Sequence, residues 1–208
     1  MTDLPTCRLA TWADLDGWTR AVAVKVRAAG RVPEAIVGLT RGGWVPARMI
    51  ADHLGVKRLL ALQTAHWGVT ATKDGHAALT ERLSGSVDRA TVLVVDDITD
   101  TGESLALAVE HIRTDGRPSR LESATCLHIA HSKFAPTYFA EEVPADHWVW
   151  VVFPWTYWED LRALASKALP EGKSTVGVTR LLREKCHLPV PPVDVERALR
   201  ESAASTAR

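Results

Sequence analysis

Residues 91–105 read TVLVVDDITDTGESL, and the reading of this stretch decides the fold. Its four consecutive aliphatic residues, 92–95, suit a strand buried on both faces, as in parallel sheets, where apolar runs replace alternation. Asp96 and Asp97 then stand at the carboxyl end of that strand, the edge where open α/β sheets take their ligands. The next residues, Asp100, Thr101, Gly102, Glu103 and Ser104, turn into a helix predicted over 103–114, with Leu105, Ala108, Val109 and Ile112 on its apolar side. Backbone N–H groups at a helix start, beside two hydroxyls, form a cradle for phosphate. Gly102 lets the backbone come close to a ligand. A lone Asp here would read as a helix cap. Two carboxylates at a strand end, a third in the turn and a phosphate cradle together make the inventory for a ribose 5-phosphate.

Working outward, AIVGLT at 35–40 is a second buried strand, bounded by Pro33 and by Gly42-Gly43. It runs into Thr40-Arg41-Gly42-Gly43, where glycines expose backbone N–H groups and an Arg adds a forked charge for phosphate oxygens. Helices are predicted over 12–29, 45–54 and 156–168, and further strands over 58–64, 121–129 and 148–153. This alternation predicts an α/β fold with a parallel sheet covered on both faces. Residues 66–88 are polar and weakly periodic, long enough to suggest a functional flap that carries His66, Lys73 and His76. After Pro170 two short helical patterns, 174–186 and 193–202, flank the PVPP at 189–192, so the chain is divided into a main domain, 1–169, and a helical C-terminal appendage, 170–208.

The composition narrows the function classes. The 208 residues are 46% hydrophobic and 24% charged, with 25 Lys+Arg against 25 Asp+Glu. A net charge of zero argues against bulk attraction to nucleic acid or an anionic membrane. From 171 onward seven basic residues face five acidic ones, a weak basis for DNA contact, so packing or oligomerisation is expected of the appendage. No apolar run reaches the ~18–20 residues of a membrane span, and residues 1–10 lack a signal-peptide pattern. Cys7, Cys126 and Cys186 form neither a metal spacing nor a disulfide framework, which leads us to expect a cytoplasmic location. Eight of the thirteen aromatic residues are Trp, four of them within 148–158. A cluster of this kind serves packing or, more specifically, stacking on a planar ligand.

The 91–105 stretch closely resembles the signature of the type I phosphoribosyltransferases, which use 5-phosphoribosyl-1-diphosphate (PRPP). The resemblance implies that Asp96 and Asp97 bind the ribose 2- and 3-hydroxyls and that Asp100 to Ser104 bind the 5-phosphate. It further implies that Asp100 is the catalytic acid/base near the acceptor's ring nitrogen. Thr40-Arg41-Gly42-Gly43 is similar to the family's diphosphate loop. WVVFPW at 150–155 is similar to the C-terminal hood of the xanthine–guanine and hypoxanthine phosphoribosyltransferases, the bacterial and archaeal 6-oxopurine subgroup. There Trp150 would stack on the base and Val151 would contact it through the backbone. Mg²⁺ on the diphosphate is implied, with Asp97 as a weak candidate ligand, and so is a homodimer or homotetramer. A flap residue such as Lys73 would touch the diphosphate.

Two departures from the subgroup stand out. The Lys that reads the base's 6-oxo group is missing from its usual strand end; here that stretch is HIAHSK, 128–133. Lys133 is the leading substitute, with His128 and His131 as alternatives. The acid that usually follows Pro-Trp is replaced by Thr156, and acids return only at Glu159 and Asp160. The substrates that the resemblance implies are PRPP and a nucleobase, with guanine, xanthine or hypoxanthine in purine salvage as the expected acceptor. The alternatives are a non-purine acceptor, or a non-catalytic PRPP-binding transcription regulator.

Overall fold

The structure is a computed structural model that describes residues 3–66 and 77–206; the side chains of 65, 66, 77, 205 and 206 lie outside the description. Of the predicted flap, 66–88, residues 67–76 are outside the described residues, so Lys73 and His76 are too, as is the side chain of His66. The chain divides into two compact units. Among the described residues one holds 12–66 and 77–148, and the other holds 3–11 and 149–206.

The first unit is built on a six-stranded sheet. Its strands are β2 (Ala35–Thr40), β3 (Leu59–His66), β4 (Ala77–Glu81), β5 (Thr91–Thr99), β6 (Arg120–Ile129) and β7 (Tyr138–Val143). They lie in the order β4-β3-β2-β5-β6-β7, parallel throughout except for the antiparallel β3–β4 pair. Three helices cover it: α1 (Trp12–Ala28), α2 (Trp44–Leu54) and α3 (Glu103–His111). The aliphatic run of β5 splits by pleat, as successive side chains must. Leu93 and Val95 join Val22, Ile36 and Ile50 under α1 and α2, while Val92 and Val94 join Leu39 and Leu105 under α3. The α/β architecture with a mostly parallel sheet is thus as expected.

Three strands were not predicted. β4 falls inside the presumed flap. β7, YFAEEV, is an edge strand whose charged residues mask its periodicity. β1 (Cys7–Leu9) is three residues long, too short to carry a pattern; it pairs in parallel with β8 (Trp150–Val152) in a separate two-stranded sheet.

That small sheet belongs to the second unit, with α4 (Tyr157–Gly172), α5 (Thr175–Cys186) and α6 (Pro192–Thr206). The predicted boundary at 169/170 falls inside α4, because a Pro so near the helix end disturbs only its last turn. Val152 and Leu161 from the hood segment share one core with Leu182, Leu188 and Val195 of the presumed appendage, and with Cys7. Polar contacts reinforce this. Tyr157 donates to Asp194 at 2.6 Å, Arg162 to Glu201 at 3.1 Å, and the Arg197 guanidinium stands 4.2 Å from the Trp158 ring centroid. Ser174 caps α5, accepting from the Gly177 N–H at 3.2 Å. Hood and tail helices therefore fold as one body with the N-terminal strand. All three cysteines are free and buried. Among the described residues no helix is long and apolar enough to cross a membrane.

Leu182 is fully buried in this core, and Leu182→Ala should cost about 2–5 kcal/mol through lost burial and the cavity left behind. Urea unfolding followed by tryptophan fluorescence measures it, with Val176→Ala, at a site 78% exposed, as a control that should change stability by less than about 0.5 kcal/mol.

Candidate active site

The site begins where β5 outruns its neighbour. β2 pairs with β5 only as far as Gly38 opposite Val95, whereas β6 continues to pair up to Thr99 opposite His128. Asp96 and Asp97 therefore lie within the strand rather than beyond it, on the stretch that β2 has left. The gap is filled by the turn from β2 into α2. There the Thr40–Arg41 peptide is cis, the Gly43 N–H donates to Leu39 O at 2.8 Å, and Gly43 O accepts from the Ala47 N–H at 2.9 Å. A Cβ at residue 43 would stand 2.7 Å from Asp96 Cα and 2.8 Å from Leu39 O. Only glycine allows this approach. The Gly43 N–H thus closes the turn while lying beside the Asp96 carboxyl, and the missing Cβ permits the close packing.

Asp96 and Asp97 each accept a hydrogen bond from the next residue's backbone, Asp97 N–H to Asp96 Oδ1 at 3.0 Å and Ile98 N–H to Asp97 Oδ1 at 2.8 Å. This fixes both carboxylates against the strand. Burial, and then repulsion from Asp97, push the Asp96 carboxyl well above the usual range, opposed by the backbone amides of Asp97 and Gly43. A closely packed acid pair of this kind calls for hydroxyl donors or a cation from a ligand.

Past Thr99 the chain turns through Gly102, whose φ of +84° suits glycine and which starts α3. A Cβ there would meet Ser132 Oγ at 2.5 Å and Phe134 Cβ at 2.8 Å. Thr101 Oγ1 accepts from the Glu103 N–H at 3.4 Å, and Thr101 O accepts from the Lys133 N–H at 3.2 Å. The loop after β6 is thus bonded to the turn, and Lys133 comes to its side. Asp100, about one-third exposed, receives the indole N–H of Trp148 at 3.2 Å on both oxygens, and its Oδ1 lies 2.7 Å from His131 Nε2.

Within one unit, then, the structure brings together Thr40–Gly43, Asp96, Asp97, Asp100 to Ser104 and Lys133. Trp150 and Val151 lie in the other unit. There the Trp150 N–H donates to Asp160 Oδ1 at 3.1 Å, while Thr156 Oγ1 donates to Asp160 Oδ2 at 2.6 Å. Asp160 is buried, and both its oxygens serve this local frame. His128 is buried beside Phe139 with Nδ1 unsatisfied, and burial lowers its proton affinity. The bonding of Asp100 to Trp148 and His131 was missed: no spacing rule links positions 100, 131 and 148, which lie on three separate loops.

The model of the phosphoribosyl transferase domain matches residues 13–160. The chain belongs to this phosphoribosyltransferase family. Three solved structures are similar to it. A purine phosphoribosyltransferase from Pyrococcus horikoshii is 25% identical, over 72% of this chain and 93% of that one, with a TM-score of 0.61. A hypothetical protein from Neisseria gonorrhoeae with bound ppGpp is 20% identical, over 74% and 90%, with a TM-score of 0.62. A xanthine-guanine-hypoxanthine phosphoribosyltransferase from Helicobacter pylori is 21% identical, over 77% and 99%, with a TM-score of 0.58. The last two likenesses speak for the fold. The chain is accordingly a phosphoribosyltransferase enzyme, and the acid strand and its two loops lie inside the matched region.

Gly102→Ala places a side chain in left-handed backbone, which costs about 1–2 kcal/mol, and drives it into Ser132 and Phe134. This phosphoribosyltransferase should lose activity and melt at a lower temperature with that change, whereas Gly17→Ala, where a methyl meets no atom within 4 Å, should do neither. Differential scanning fluorimetry with a turnover assay makes the comparison.

Proposed function

We propose that the enzyme transfers ribose 5-phosphate from PRPP to a ring nitrogen of a 6-oxopurine, releasing diphosphate and a nucleoside monophosphate. The observation that carries this reading is the contact of the Gly43 turn with Asp96, with the Asp100–Ser104 turn at the end of the same strand. Three candidate ligand-binding segments, the Gly43 turn, the acid pair and the Asp100–Ser104 turn, share one sheet edge.

In this reading the ribose 2- and 3-hydroxyls donate to the Asp96 and Asp97 carboxylates. The 5-phosphate accepts from the backbone N–H groups at the start of α3 and from the Thr101 and Ser104 hydroxyls. The Thr40-Arg41-Gly42 segment faces the diphosphate, with the Arg41 guanidinium offsetting its charge. Asp100 takes the proton of the attacking ring nitrogen. Lys133 is assigned to the 6-oxo group, supported by its backbone bond to Thr101. Trp150 and Val151 keep their assignments to base stacking and backbone contact. The adjacent carboxylates also fit a Mg²⁺ ion that arrives on the substrate, since such an ion needs only one or two carboxylates beside phosphate oxygens. Asp97 would hold it, and the ion would supply neutralisation of leaving-group charge. A homodimer or homotetramer in the cytoplasm completes the proposal.

The test incubates the protein with PRPP, Mg²⁺ and a panel of guanine, hypoxanthine, xanthine, adenine and pyrimidines, and separates the nucleotides formed. Product from 6-oxopurines is expected. Product from another heterocycle alone would overturn the acceptor, and no product with any base would favour a PRPP-binding regulator. Asp96→Asn with Asp97→Asn should weaken PRPP binding at least about 100-fold by calorimetric titration, since two charge-assisted hydrogen bonds are lost.

A further inference from the structure

Asp100 is held from two sides by segments far apart in the chain. Trp148 follows a short 3₁₀ turn, Ala145–His147, beyond β7, and His131 lies on the loop after β6. An indole N–H can only donate, and that of Trp148 reaches both oxygens of Asp100 at 3.2 Å. Both oxygens therefore act as acceptors. With Oδ1 an acceptor, His131 Nε2, 2.7 Å away, carries the hydrogen in this pair. A carboxyl group on a loop, one-third exposed, would otherwise sample several rotamers; two ring donors from two directions leave it one.

We propose that His131 and Trp148 are positioning residues for Asp100, fixing its carboxylate in the single orientation from which it accepts the ring proton of the nucleobase. The inference rests on the reading of Asp100 as the proton acceptor. The step balances without a further reactant. The acceptor's ring N–H proton passes to an Asp100 oxygen, the nitrogen lone pair forms the bond to ribose C1, and the C1–O bond breaks with its electron pair leaving on diphosphate. Neither positioning residue enters that exchange. His131 is thereby reassigned from the 6-oxo group to Asp100, and Lys133 stays the leading candidate for that group, with His128 as the alternative.

A misplaced base slows the chemical step and leaves sugar-diphosphate binding intact, because Asp96, Asp97 and the phosphate turn are untouched. With the nucleobase that the panel identifies, His131→Ala and Trp148→Phe should each lower kcat about 10- to 100-fold, the equivalent of one hydrogen bond to a charged group. The KM for PRPP should change less than about 3-fold, a shift well below one such bond. His131→Gln, which keeps an N–H donor, should recover most of the loss. An unchanged kcat, a PRPP KM that rises in step with the fall in kcat, or no rescue by Gln would overturn the proposal. A second arm needs no turnover. The Trp148 indole N–H, followed by ¹⁵N NMR, should exchange with solvent faster in Asp100→Ala than in the wild type. An equal exchange rate would overturn the clamp whatever the acceptor, whereas a panel without nucleotide would overturn the 6-oxopurine reading and leave the exchange result to decide the clamp.

Discussion

The candidate site of this protein depends on one close approach, the backbone of Gly43 against the backbone of Asp96. β5 can carry two carboxylates past Gly38, the last β2 residue that pairs with it, because the following turn folds back against them, and the absence of a Cβ at residue 43 permits that approach. The same turn starts α2, whose Ala47, Ile50 and Ala51 then pack on the core under β2 and β5. The interaction that forms a ligand edge thus also seats a helix. A side chain at 43 would separate the diphosphate-type loop from the acid pair and loosen the sheet beneath them.

A second constraint shapes the rest of the chain. β8 is only three residues long and could not stand alone. It is held by pairing with β1 and by a core to which α4, α5 and α6 all contribute. The tail helices bury Leu182, Val195 and Ala198 completely, and Tyr157, Arg162 and Trp158 engage α6 directly. Weak charge and a committed apolar side are what a packing role requires.

Much of this was legible in the sequence. The run at 92–95 announced a doubly buried strand, and Asp96, Asp97 and Gly102 fell where that strand and the following turn put them, because short-range pattern determines both. Legibility ended where tertiary contact takes over. The extra length of β5 depends on continued pairing with β6, which its own residues do not encode. β1 and β8 are defined by each other across more than 140 positions. Pro170 read as a boundary because proline usually ends helices, yet the core beneath α4 carries the helix two residues beyond it. The Asp100 contacts join three loops, and loops reach one another by folding, not by period.

The central claim is that a sugar diphosphate binds along one edge, between the turn after β2 and the start of α3. Hydrogen–deuterium exchange with and without PRPP and Mg²⁺ tests it most directly. Peptides covering 38–44 and 96–106 should become protected together. Protection confined to the tail helices, or absent from either of those two segments, would contradict it.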